Sequence, residues 1–199
     1  MHHLPEALHM SFYNQPTFQL AQSLLGQLVF KETDEGVAGG FIVETEAYIG
    51  PDDRAAHSFN NRRTKRTEIM FGEAGYVYTF TMHTHCLFNV VSGDSEKPEA
   101  VLIRGVEPYT GQELMAQRRP KAKKKGQWTN GPGKLTQALG ITMRDYGHRL
   151  DQSPLWMAPG KRPDTTEIVS GPRVGIGNAG EARYYPWRFW MEGNAFVSK

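Results

Sequence analysis

Apolar residues at Phe18, Ala21, Leu24 and Leu25 recur at the three- and four-residue spacing that puts one buried stripe on a helix. Thr17, after Pro16, suits an N-cap and Gly26 a C′ position, so a short helix is predicted over 17–25. Leu28-Val29-Phe30 then reads as a strand that turns at Asp34-Glu35-Gly36 into a second strand over 39–48, forming a hairpin. A second hairpin is predicted over 75–91. There the β-rich Tyr76-Val77-Tyr78-Thr79-Phe80 and Leu87-Phe88-Asn89-Val90-Val91 flank a polar tip at His83-Thr84-His85. Further strands are expected at Ala100 to Val106, Arg173 to Ile176 and Trp187 to Met191. Helical turns are expected at Gly111 to Gln117 and, after Gly131-Pro132-Gly133, at Lys134 to Leu139. Residues 1–15 are polar and Pro-interrupted and read as a flexible, loosely held arm. With no repeat, heptad or clean linker, the pattern predicts an α+β fold: one mixed domain over 1–199 with a curved, mainly antiparallel sheet and short helices.

Composition narrows the class. With 199 residues, 39% of them hydrophobic and 22% charged, the chain suits a single core and is too apolar for intrinsic disorder. No run approaches the ~18 apolar residues of a spanning helix, and Met1-His2-His3-Leu4-Pro5-Glu6 lacks the features of a signal peptide. A protein with no membrane association, located in the cytoplasm and at the nucleoid when on DNA, is expected. Cys86 is the only cysteine, which excludes an intramolecular disulfide and any multi-cysteine metal site. The formal net charge of +2 matters less than its placement. Between Glu113 and Asp145 there is no acid, yet Arg118, Arg119, Lys121, Lys123, Lys124, Lys125, Lys134 and Arg144 all fall there. A second basic group is Arg62-Arg63-Thr64-Lys65-Arg66. Such runs are either solvated loops or contacts for a polyanion, and only chemistry nearby can decide.

Some strings mislead. Gly175-Ile176-Gly177-Asn178-Ala179-Gly180 matches the dinucleotide fingerprint, but too little chain follows for a βαβ unit. It reads as a turn where backbone passes close to something. Gly133-Lys134 has Leu135 where a phosphate-binding loop needs Ser or Thr. His83-x-His85-Cys86 lacks an obvious fourth ligand, so neither a metal nor any other cofactor is expected.

The strand over 41–48 carries more. Under strict alternation Phe41, Val43, Thr45 and Ala47 share a core face, while Ile42, Glu44, Glu46 and Tyr48 share the other. The turn Gly50-Pro51-Asp52-Asp53 can return His57 beside them, so that carboxylate, phenol and imidazole converge. That group suits acid–base chemistry on a planar, hydrogen-bonding ring. Three readings stay open: an ordinary half-solvated strand in a nucleic-acid-binding module, a carbohydrate glycosidase using Glu44 and Glu46, and an enzyme acting on a flipped base.

Ile42-Val43-Glu44-Thr45-Glu46-Ala47-Tyr48-Ile49-Gly50-Pro51 with Ala55-Ala56-His57-Ser58 resembles the signature of the alkyladenine (3-methyladenine) DNA glycosylases. Tyr76-Val77-Tyr78, Val101 to Pro108, Gly131 to Leu135 and Arg173 to Gly180 are similar to further blocks of that family, in its order. The resemblance implies one α/β domain with a curved antiparallel sheet and a protruding β-hairpin. It implies excision of alkylated and deaminated purines (3-methyladenine, 7-methylguanine, hypoxanthine, ethenoadenine) from double-stranded DNA by a monofunctional enzyme that leaves an abasic site and acts as a monomer. Glu46 would be the base that activates water, with Arg104 and the Val174 carbonyl holding that water. Tyr48 and Tyr78 would sandwich the base, His57 would bond its edge, and Asn89 would exclude guanine by crowding its 2-amino group. The wedge that fills the gap in the duplex is a tyrosine in the family. Here that position is Thr81, which leaves Met82 or His83 as the wedge. Arg118, Arg119, Lys121, Lys123, Lys124, Lys125 and Lys134 are the expected phosphate contacts.

Overall fold

The computed structural model describes residues 4–161 and 165–198. Its order is α1 (Thr17–Ser23), β1 (Leu28–Thr33), β2 (Gly36–Tyr48), β3 (Val77–Met82), β4 (His85–Ser92), β5 (Glu99–Thr110), α2 (Gln112–Arg118), α3 (Gly126–Thr129), α4 (Pro132–Leu139), β6 (Leu155–Ala158), β7 (Ile168–Gly171) and β8 (Arg188–Met191). The strands form one antiparallel sheet in the order β3-β4-β5-β2-β1-β6, with β8 pairing both β2 and β7. This is the predicted α+β class. Among the described residues no helix is long and apolar enough to cross a membrane.

Strand β2 organises the sheet. One edge pairs β5 along its length; the other pairs β1 through Gly36–Phe41 and β8 through Glu44–Glu46. Gly40 lets backbones meet there, because a Cβ would lie 2.1 Å from the Glu107 carbonyl oxygen. The register of β2 against β5 slips between Ile42 and Glu44 and again between Glu44 and Thr45. A β-bulge of this kind re-aims the residues beyond it. Strict alternation therefore fails at one point: Ile42 and Ala47, of opposite parity, both pack into the main core with Leu20, Leu24, Leu25, Val29 and Ile103. Phe41 instead flanks a smaller cluster around Phe30 and Trp156. Beyond the bulge, Thr45 turns to α1 and donates to the Ala21 carbonyl at 2.8 Å, while Glu44, Glu46 and Tyr48 face the other way.

Three further expectations are corrected. The arm is held over its described part, 4–15: Leu8 N–H donates to the Met157 carbonyl, and Tyr13, in a 3-10 turn at Met10–Tyr13, is fully buried, while the first three residues of the expected arm lie outside the described residues. An aromatic at that position gains enough from burial to order the segment. Thr17 is the first helical residue, not the cap, and its hydroxyl contacts Ser92 and Glu99 instead. Arg173 to Ile176 is no strand; it is a loop after β7, because the Arg173 side chain turns inward while Val174 and Gly175 face out.

Candidate active site

Glu46 lies on β2 where the strand is covered on both edges, and it is fully buried. Its Oε2 accepts the Tyr48 hydroxyl at 2.8 Å and its Oε1 accepts the Val174 N–H at 2.7 Å, with Arg104 Nε from β5 at 3.4 Å. A carboxylate has about four lone-pair directions, so it can still accept from a water. Burial pushes the Glu46 carboxyl above its ordinary range, opposed by Arg104, the Val174 N–H and Tyr48. Burial also raises the Tyr48 phenol well above its usual value, so it remains a donor to Glu46.

Three residues that touch Glu46 (Tyr48, Arg104 and Val174) line a cavity of about 260 Å³. Its other walls include His57, Met70, Tyr78, Phe80, Asn89 and Leu102. The volume lies just below the ~300 Å³ where ligand clefts begin, a size for one planar ring system. His57 Nδ1 is 2.7 Å from the Tyr78 hydroxyl, and its ring meets Phe80 edge-on at 4.5 Å. Burial, then the charges of Arg66 and Arg62, lower the His57 imidazole to about 4, which leaves it neutral near pH 7. Asn89 is opposite Tyr78 in the β3–β4 ladder and donates from Nδ2 to the Tyr78 carbonyl at 3.0 Å, which settles the hairpin register. The hairpin tip is two residues long, His83 and Thr84, with Met82 exposed at the rim of the cavity. Gly175 and Gly177 have open space around them among the described residues, whereas the close approach expected of that loop falls at its ends, at Val174 against Glu46 and at Gly180, where a Cβ would lie 3.4 Å from Arg54 Nη1.

A sequence model of the methylpurine-DNA glycosylase family matches residues 11–195. The chain belongs to that family. A Bacillus licheniformis protein provisionally named a 3-methyladenine DNA glycosylase is 64% identical over 98% of this chain and 97% of its own length. Relatives under the same provisional name are 60% identical in Bacillus subtilis, over 96% of each chain, and 45% identical in Listeria monocytogenes, over 94% of this chain and 89% of that one. As a methylpurine-DNA glycosylase family member, this is a monofunctional DNA glycosylase of base-excision repair.

In this DNA glycosylase the basic residues divide. Lys121, Lys123, Lys124 and Lys125 are exposed between α2 and α3, and Arg119, Lys121 and Lys134 border a cavity of about 360 Å³ with Gln127 and Asn130. Arg118 does not belong with them. Its guanidinium donates to the Leu139 carbonyl at 2.7 Å, to Thr33 Oγ1 at 2.8 Å and to Glu35 at 2.7 Å, closing the C-terminus of α4. The side chain is consumed inside the fold.

Sequence reasoning missed the support behind the cavity. Arg173 and Asp53, both buried, form a bidentate ion pair at 2.5 and 2.8 Å, and the guanidinium lies between the rings of Tyr48 and Trp187, 4.6 and 4.9 Å from their centroids. It also donates to the Ala47 carbonyl at 2.9 Å, so one side chain backs Tyr48 and holds the loop that presents Val174. The available signal was an arginine inside a Gly-rich turn, next to the residue expected to touch water.

Proposed function

We propose that this DNA glycosylase flips alkylated or deaminated purines (3-methyladenine, 7-methylguanine, hypoxanthine, ethenoadenine) out of duplex DNA and hydrolyses the N-glycosidic bond with a water activated by Glu46. The observation that carries this reading is the buried Glu46 carboxylate in direct contact with three residues of an aromatic-walled cavity sized for one base. The base lies against Tyr48 and Tyr78, and His57 reads its edge. With the imidazole neutral and Nδ1 facing the Tyr78 hydroxyl, Nε2 is left for the purine. Extrusion costs a few kcal/mol, offset by stacking worth ~1–3 kcal/mol per base and by phosphate contacts. Asn89 crowds the 2-amino group of guanine. Met82 or His83 enters the duplex behind the departed base, since an apolar wedge suffices for unstacking. Arg119, Lys121, Lys123, Lys124, Lys125 and Lys134 hold the backbone of a duplex bound by one copy of the chain.

Water is held between Glu46, Arg104 and the backbone of Val174. The Val174 N–H is engaged by Glu46, which leaves its carbonyl for the water. Attack at C1′ transfers the water's proton to Glu46 and releases the purine. A cationic 3- or 7-alkyl base leaves without further help, whereas hypoxanthine also needs a proton. The product is an abasic site. A carbohydrate glycosidase that uses Glu44 as partner carboxylate loses support, because Glu44 accepts from Arg104, Arg188 and both donors of Ser198.

The test is single-turnover base release from duplexes carrying hypoxanthine, ethenoadenine or 7-methylguanine, with and without alkali. Strand cleavage should depend on alkali and fall by at least ~100-fold in Glu46→Gln, with lesion binding retained. Excision by that variant at the wild-type rate would sink the assignment.

A further inference from the structure

Glu44 is two residues from Glu46 on β2, is fully buried, and has no contact with the cavity, yet it accepts more hydrogen bonds than Glu46 does. Arg188 Nε reaches its Oε1 at 2.6 Å, Arg104 Nε at 3.1 Å and Ser198 Oγ at 2.7 Å, while the Ser198 N–H reaches Oε2 at 2.7 Å. Ser198 is itself fastened, since its hydroxyl accepts from Arg104 Nη2 at 3.1 Å and its carbonyl from Arg188 Nη2 at 3.0 Å. Two buried carboxylates thus stand side by side with one guanidinium touching both. Arg104 Nε carries a single hydrogen, and it lies 3.1 Å from Glu44 and 3.4 Å from Glu46.

We infer that Glu44, whose other hydrogen bonds come from Arg188 and Ser198, is a positioning residue that holds Arg104 where its guanidinium also faces Glu46. The inference rests on the reading of Glu46 as the general base. The physics is a competition. A buried carboxylate short of donors draws the nearest cation toward itself, because its desolvation is otherwise uncompensated. Ser198 and Arg188 satisfy Glu44, so the shared guanidinium stays where it also faces Glu46. The other groups that face Glu46 are the Tyr48 hydroxyl and Glu44 from β2, Arg104 from β5 and the Val174 N–H from the loop after β7, with Arg173 behind Tyr48. Among these, Arg104 is the one cation in contact with Glu46, so the proton affinity of Glu46 follows its position.

Ser198→Ala removes one donor to Glu44 and one acceptor of Arg104 while leaving every charge in place. The acid limb of single-turnover excision should move upward by about half a pH unit, which reads as roughly three-fold slower release on that limb. Binding of lesion duplex should stay within two-fold, and Ser198→Thr should return the limb to its wild-type position. Glu44→Gln strands Arg188 and can fail to fold, so the serine series carries the test. A Ser198→Ala profile that superimposes on wild type overturns the inference, as does a parallel loss of lesion binding, which would mean that the cavity itself has collapsed. Glu46→Gln run beside it separates the two ideas. If that variant excises normally, the base assignment fails; if it is dead and Ser198→Ala is unshifted, only the role of Glu44 fails.

Discussion

A carboxylate proposed to act as a base inside protein carries a stability penalty when ionised, and Glu46 has one. Its carboxyl is raised chiefly by burial, so the neutral form is favoured in the folded state relative to water. A group raised in this way costs stability as pH climbs from its unfolded value through its folded one. Glu46→Gln, neutral at every pH, should therefore melt higher than wild type at pH 7–8, while excision is lost. Melting curves at pH 7.5 check the sign, and a lower midpoint would show that Arg104 and the hydrogen bonds outweigh desolvation. His57 gives the opposite pattern. Its folded value, about 4, lies below the ordinary 6.5, so its contribution is complete above pH 6.5 and is lost as pH falls toward 4. His57→Gln should flatten the decline of melting temperature over that window.

At this scale much of the site can be read from the chain, because Glu46, Tyr48 and His57 are close in sequence and their types announce their chemistry. The pairing of Arg173 with Asp53 cannot be read so, because the two are 120 residues apart and nothing local to either names the other. Arg118 shows the converse hazard. It belongs to the basic run by composition, and only the position of the α4 C-terminus shows where its donors go.

Among the elements, the hairpin β3–β4 is under visible strain. His83 and Thr84 sit at φ 46° and 74°, the left-handed region that a two-residue turn demands and that a β-branched residue resists. Asn–Gly at these positions should stabilise the protein by about 1 kcal/mol. If His83 is the wedge, that gain will come with weaker lesion binding; if Met82 is, excision will be unchanged. Denaturant midpoints and lesion-duplex titrations measure the two together. Helices α1, α2 and α4 and the two hairpins follow from periodicity and turn residues, whereas α3, one turn inside the basic segment, does not. The bulge at 42–45 does not, since an inserted residue leaves each neighbouring stretch still alternating.

Across the whole molecule the net charge of +2 hides a cationic face built from the 119–134 segment. Binding of undamaged duplex should weaken steeply with salt, and each of Lys121, Lys123 and Lys124 replaced by Ala should reduce the log–log slope by ~0.9 if it meets a phosphate. Arg118→Ala should instead lower the melting temperature and leave the slope alone. Equal slopes for the lysine variants and wild type would place the duplex elsewhere.

The contacts that complete the site join distant parts of the chain: Val174 meets Glu46 across 128 residues, and Ser198 meets Glu44 across 154. Loops of that length are closed late in folding, after local hairpins have formed, because their entropy must be overcome before the contact rewards it. Regain of excision on refolding should accordingly trail the regain of β-sheet signal, and a chain that has formed its hairpins but not its last closures would hold undamaged DNA without being able to cut a base from it.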